Sequence, residues 1–474
     1  MPPRLSALDA SFLYLEEAST PMHVGAVSIF RRPTAGFDYD RLVDLIEQRI
    51  ALVPRYRQKV RHVPGNLARP VWVDDPDFDV AYHVRRSALP KPGSDEQLTE
   101  LVARLMSRPL DHARPLWEMY LVEGLARGRT AVLTKTHQAM VDGISAIDIG
   151  QVILDVSPQP RVSAEELWMP RDEPTDAELI CDAVAEAIAR PGVVVEKVRA
   201  AAGDAVATVG KLAGAAGKLL SQVSSVARTA SRGAAPDTPL NVPISAQRRF
   251  AIARTQLEDY RKIRSAHGCT VNDVVLTVVA GALRSWLLSR GEPVRSSSSV
   301  RAMVPMSVRG QADVPSSSTP GSRGNRVSSF LVDLPVGEPS PVVRLHQVAH
   351  AMQESTASAQ SVGAHALVRI GGFAPPTLHA LGARAASGFS KRIFNLVVTN
   401  VPGPQFPLYA AGARMLELFP VVPLAKGQAL ALGLTSYDGG VYYGLNGDRD
   451  AMSDVEVLAG MVHESLDELL GTVS

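Results

Sequence analysis

A histidine stands just ahead of an Asp-Gly pair in Thr134-Lys-Thr-His-Gln-Ala-Met-Val-Asp-Gly-Ile144, and these residue types can do proton chemistry on a bound hydroxyl. The imidazole of His137 has an ordinary pKa close to neutrality, so it can take a proton and return it. Asp142 can pair with an arginine and hold a loop, and Gly143 lets backbone come close to a ligand. Gln138 is a carboxamide that can orient a hydroxyl or carbonyl but cannot hold a proton near pH 7. A single His before Asp-Gly also arises by accident, so the elements that position it matter.

Residues 131–136 have strand character and residues 144–154 have helix character, which places His137, Asp142 and Gly143 on the loop between them. Neighbours on an extended chain face opposite ways, so His137 reaches a substrate only if the loop has already left strand geometry. Up to about residue 157, candidate strands at 24–30 and 130–136 alternate with candidate helices at 39–51 and 95–106, the mark of an α/β layer structure. From Ser157 the chain turns rich in Pro, Glu and Asp, then in Ala, Val and Gly to about Pro243. The division expected is residues 1–157 as an N-terminal domain carrying the motif loop, 158–243 as an Ala-rich helical connection and 244–474 as a C-terminal domain. In the last, Thr270 is a natural N-cap with Asp273 three residues on, Val274, Val275, Val278, Leu283 and Trp286 form a buried stripe, and Gly291 can end the helix. A Ser, Pro and Gly cluster at 311–324 reads as a surface loop, residues 326–334, 394–399 and 429–436 as strands, and Asn400-Val-Pro-Gly-Pro404 as a turn. Trp72 and Trp117 are expected in the core.

With 474 residues, 46% hydrophobic and 20% charged, the chain is globular and long enough for two cores. A net charge of +1 gives no reason to expect nucleic acid as a partner. Cys181 and Cys269 fit no metal spacing and are expected as buried, reduced bystanders, so no metal or cofactor is anticipated. No apolar run suggests a signal peptide or a span, so a cytoplasmic location with peripheral membrane contact is expected. In the connection, Val198, Ala202, Ala205, Val209, Leu212, Ala216, Leu219, Val223 and Val226 keep helical spacing, beside Lys197, Arg199, Lys211, Lys218 and Arg228. Such a helix packs on its own domains or lies on anionic lipid.

A His followed by Asp-Gly recurs in thioester-dependent acyltransferases, where two adjacent His precede three variable residues and the second His is the base; here that second position is Gln138. The whole chain resembles the bacterial wax ester synthase/acyl-CoA:diacylglycerol acyltransferase family. Leu5-Ser-Ala-Leu-Asp-Ala-Ser-Phe12, Pro21-Met-His-Val-Gly25, Trp72-Val-Asp-Asp-Pro-Asp-Phe78 and Arg114-Pro-Leu-Trp-Glu118 look like its blocks ahead of the motif. Val271-Asn-Asp273, Val304-Pro-Met-Ser-Val-Arg309, Gly324-Asn-Arg326 and Thr399-Asn-Val-Pro-Gly-Pro404 look like those after it, in order. The resemblance implies an α/β fold of two chloramphenicol acetyltransferase-like domains with mixed sheets enclosing a tunnel. It implies direct transfer of a long-chain acyl group from acyl-CoA, a co-substrate, to diacylglycerol or a long-chain alcohol at a membrane or lipid-inclusion surface. By the same resemblance Asp142 fixes the loop, Gly143 makes room for substrate, Gln138 contacts substrate, and Asn272 with Asp273 form a polar pair opposite the motif. The bare residues also allow Asn272 and Asp273 to be a helix start, and Asp142 a cap. Two function classes remain: an acyltransferase whose base is His137, a water or another His such as His23, and a non-catalytic relative that binds acyl chains. Retention of Asp142, Gly143 and the distant blocks favours the enzyme.

Overall fold

In the computed structural model, residues 2–31, 37–141, 149–161, 168–189, 234–308, 326–357 and 393–473 are described. Among them the strands run β1 (His23–Arg31), β2 (Gln58–Arg61), β3 (Val71–Asp74), β4 (Val84–Ala88), β5 (Trp117–Leu125), β6 (Arg129–His137), β7 (Arg248–Gln256), β8 (Val300–Val308), β9 (Arg326–Leu334), β10 (Leu396–Pro402), β11 (Tyr409–Ala410), β12 (Ala413–Val421), β13 (Leu430–Tyr437) and β14 (Gly440–Asp448). They build two six-stranded sheets, ordered β11-β12-β1-β6-β5-β4 and β7-β14-β13-β10-β8-β9, and a small β2-β3 ribbon. Both large sheets are mixed: β4 runs parallel to β5 in the first, and β10 parallel to β8 and β13 in the second. The expected α/β class with two mixed sheets is the observed one.

Local chemistry accounts for most elements. Helix Asp95–Met106 opens with a capping box, Ser94 receiving the Gln97 N–H while the Gln97 side chain receives that of Ser94, and two acidic residues favour the positive helix start. It links β4 to β5 as a crossover and packs its apolar face, Leu98, Leu101, Val102, Leu105 and Met106, onto Val27, Ile29, Ala131 and Leu133 of β1 and β6. The other face of that sheet, presenting Trp117, Met119 and Met415, packs on helix Tyr39–Arg49. Being covered on both faces, β6 shows no inside-outside alternation and is buried from Thr130 to His137. Gly25 is required here, because a Cβ would stand 2.7 Å from the carbonyl oxygen of Thr134 and 3.0 Å from the Met106 methyl. In the second domain, helix Val271–Ser289 buries Val274, Val275, Val278, Leu283 and Trp286 in the core, and Trp72 and Trp117 are core residues of the first, as expected. The 271–289 helix is long and apolar enough to cross a membrane, but most of it lies inside this core.

Four findings differ from the sequence reading. Residues 409–421, assigned by sequence to the C-terminal domain, instead form β11 and β12 at the edge of the first sheet, β12 pairing antiparallel with β1. The Asn400-Val-Pro segment is strand and not turn: β10 continues through Pro402 opposite Ser436. Its pairing with β8 is confined to Leu396 and Val397, so the proline falls where a missing N–H interrupts no ladder. Cys181 is exposed and Cys269 only partly buried, packed at the margin of the second-domain core; both are free thiols. Of the helix expected at 144–154, the described part is Ile149–Val152. The 311–324 loop and residues 190–233 of the Ala-rich connection lie outside the described residues.

Candidate active site

His137 is the last residue of β6 and lies opposite His23 of β1. Its backbone is still in the sheet, His137 N–H donating to Leu116 O at 2.9 Å, and the next residue is anchored as well, Gln138 N–H donating to Met22 O at 2.8 Å. A single 3-10 turn, Gln138–Met140, then bends the chain away. His137 sets that bend: its Nδ1 accepts the Ala139 N–H at 3.0 Å. Met140 drops into the core and Gln138 remains half-buried. Helix Ala7–Leu15 packs on this turn. Asp142 and Gly143, the two motif residues that follow, lie outside the described residues.

The ring of His137 is fully buried, with Nε2 3.5 Å from Glu16 Oε2. Because Nδ1 is an acceptor for Ala139, the neutral ring carries its proton on Nε2 and directs it at that carboxylate. No lone pair of His137 is left to take the proton of an acceptor alcohol, which departs from the base role expected of it. The chain had not left strand geometry by residue 137, and the imidazole faces the interior.

Glu16 caps the C-terminal end of helix Ala7–Leu15 and gathers this corner. Oε1 accepts the Met22 N–H at 2.9 Å and Oε2 accepts Nε2 of His112 at 2.7 Å. Burial alone would raise the Glu16 pKa, but hydrogen bonding with His112 and His137 and the Met22 amide outweighs it and holds the carboxyl well below the usual range. His112 is pushed up from 6.5, first by its hydrogen bond to Glu16 and against partial burial, with Asp111 adding to the effect. Its ring meets that of His137 edge to face, with centroids 5.9 Å apart. His23 behaves differently. It is buried, with Nε2 hydrogen-bonded to Met106 O at 2.8 Å; burial, then the nearby Lys135 charge, bring its pKa down to about 3, far too weak a base for alcohol activation. Lys135 is itself buried on β6, donating to the Leu105 and Arg108 carbonyls and pairing with Glu118 at 3.4 Å.

Across the molecule, Asp273 is absorbed locally. Its carboxylate accepts the Thr270 N–H at 2.9 Å while Thr270 Oγ1 accepts the Asp273 N–H at 3.1 Å, a reciprocal cap that explains its burial without any substrate. Asn272 is used differently: its Oδ1 accepts Asn400 Nδ2 of β10 at 3.3 Å, and its own Nδ2 is buried with no partner among the described residues. The structure thus joins the Asn272 and Asn400 blocks and ties His137 to two residues that the sequence reading missed, Glu16 and His112. No local pattern marks those two; His112 stands 96 positions from Glu16.

Two mixed six-stranded sheets, the first completed by strands from the second half of the chain, make a fold that condensation domains share. The starter condensation domain of rhizomide synthetase shares it at TM-score 0.55 and 13% identity, covering 100% of this chain and 95% of that one. The chain belongs to the wax ester synthase/diacylglycerol acyltransferase family: residues 5–275 match the family's catalytic domain and residues 323–470 its C-terminal domain. It is 51% identical over 266 residues to the probable diacylglycerol O-acyltransferase tgs3 of Mycobacterium tuberculosis, covering 56% of this chain and 97% of that one. With the probable diacylglycerol O-acyltransferase tgs1 of the same organism it shares 33% identity over 468 residues, 98% of this chain and 95% of the other. The wax ester synthase/diacylglycerol acyltransferase of Marinobacter aquaeolei VT8 superposes at TM-score 0.68 with 27% identity, covering 98% of each chain.

Proposed function

We propose that this protein transfers a long-chain acyl group from acyl-CoA to the hydroxyl of diacylglycerol, or of a long-chain alcohol, giving triacylglycerol or wax ester. The observation that carries the reading is similarity to the diacylglycerol O-acyltransferases tgs1 and tgs2 across both domains, 33% and 34% identity over nearly the full chain. Transfer needs a base for the hydroxyl, a donor for the oxyanion and a dry site, and passes from thioester to alcohol within one ternary complex. Gln138, half-buried at the motif turn, suits a hydrogen bond to substrate. The Asn272 Nδ2, without a partner among the described residues, suits the thioester carbonyl, since a buried amide donor is costly unless something supplies an acceptor. Asp142 holds the motif loop and Gly143 gives the substrate access, as the family motif implies.

Acceptor and product are apolar, so the protein works from the cytoplasmic side at a membrane or lipid-inclusion surface without spanning it, with Lys197, Lys211 and Lys218 as the basic contact. Purified protein given palmitoyl-CoA and a panel of diacylglycerols and alcohols should yield the ester. Flotation with anionic vesicles should weaken when those lysines become Glu. Gln138 supports one second reading, an acyl-CoA-binding relative without turnover. Acyl-CoA binding with no ester from any acceptor would decide for it.

A further inference from the structure

Gln138 cannot hold a proton, His137 accepts the Ala139 N–H at Nδ1 and so keeps its own proton on a sealed Nε2, and His23 is buried against Met106 O, so no residue so far considered can receive the proton of an acceptor hydroxyl. We propose that His112, oriented by Glu16, is the general base of the transfer. This rests on the acyltransferase reading above.

The geometry that carries it has three parts. His112 lies on the connection between helix Asp95–Met106 and β5, its ring against that of His137, adjoining the turn that begins at Gln138. Its Nε2 donates to Glu16 Oε2 at 2.7 Å, which leaves Nδ1 as the lone-pair nitrogen. That Nδ1 has no hydrogen-bond partner among the described residues, and the side chain is 43% exposed while its neighbour His137 is sealed. The corner also borders the second domain: Lys426 Nζ reaches Glu17 Oε1 at 2.7 Å, and the Arg248 guanidinium donates to Ser19 O. A carboxylate, an imidazole and a free nitrogen beside the interdomain boundary form the arrangement that general base catalysis needs, and Glu16 is the positioning residue.

In the step, Nδ1 of His112 takes the proton of the acceptor hydroxyl as its oxygen bonds to the thioester carbonyl carbon. The tetrahedral intermediate collapses with cleavage of the C–S bond, and the imidazolium returns the proton to the CoA thiolate. Ester and CoA thiol leave, and His112 is neutral again. Glu16 stabilises the imidazolium formed midway. The groups facing His112 are Glu16 and Asp111, which favour its protonation, and the rings of His137 and His62, the latter a like charge when protonated.

The test is steady-state kinetics of the full-length protein with palmitoyl-CoA and a diacylglycerol in mixed micelles, followed by thiol release across pH. We expect His112→Gln to lower kcat by ~10²–10⁴ with little change in acyl-CoA affinity, and to remove the ascending limb of the kcat/KM profile. Added imidazole should restore part of the activity of His112→Ala. Glu16→Gln should retain that limb but shift it to lower pH, because the group that raises the His112 pKa is gone. Wild-type turnover and an unmoved limb in the His112 variants would overturn the assignment alone. A limb that stays in place in Glu16→Gln would do the same, even if a His112 variant failed to fold. No ester from the wild type, with acyl-CoA bound, would overturn the proposed function together with it.

Discussion

The motif corner of the first domain and the helix start of the second each hold a carboxylate largely out of solvent, and they satisfy it in opposite ways. Asp273 is paired within its own turn, with Thr270 three positions away. Glu16 is satisfied by Met22, His112 and His137, groups from a loop, a connection and a strand end that only folding brings together. Lys135 with Glu118, on neighbouring strands, is of the second kind. A locally satisfied carboxylate stabilises one helix. A carboxylate satisfied at long range couples elements, and the residues it gathers are left in positions where chemistry can be done.

The contrast can be broken by mutation. The largest effect is expected from Glu118→Ala, which leaves the fully buried Lys135 ammonium with carbonyl partners alone. Urea unfolding should show a loss of about 3–5 kcal/mol, as when one partner of a buried pair is removed. A loss below about 1 kcal/mol would mean the carbonyls suffice and the pair is not what couples β5 to β6.

Next in size, Gln138→His on a His112→Ala background should raise kcat by ~10², by returning an imidazole to the motif turn. An unchanged rate would show that position 138 does not face the reacting hydroxyl.

His23 offers a pH test of the same corner. Its pKa falls from 6.5 in the unfolded chain to about 3 when folded, so the unfolded state binds the extra proton and stability drops as pH falls from 6.5 toward 3. At pH 5 this amounts to about 2 kcal/mol relative to neutral pH. His23→Gln should flatten that part of the pH-stability curve, whatever it costs at pH 7; a curve that keeps its wild-type slope would assign the acid sensitivity elsewhere.

The smallest effect belongs to the local carboxylate. Asp273→Ala should cost about 1 kcal/mol in stability, the size of a lost cap, with kcat close to wild type. A large fall in kcat without loss of stability would place Asp273 on the substrate.

Much of the fold was legible because its causes are local. The strand at 326–334 and the helices starting at Asp95 and Val271 follow from periodicity and from caps three residues apart, and these agree with the structure. The site was legible only in part. The family blocks located the corner, but His137 looked like a base because its type is right, and residue type does not reveal which nitrogen the fold will occupy. Likewise nothing near residues 409–421 announces that they complete the first sheet, since edge pairing depends on a partner strand some four hundred positions earlier.

By itself, then, the sequence determined several of the elements, because patterning and capping act within a few residues, while its order of motif blocks carried the resemblance that implied the family and the two mixed α/β layers. Tertiary structure alone decided that His137 is sealed and that Glu16 holds His112, whose other ring nitrogen meets no hydrogen-bond partner among the described residues. Those outcomes depend on burial and on hydrogen bonds between residues distant in the chain, where partner and direction are set only once the layers pack.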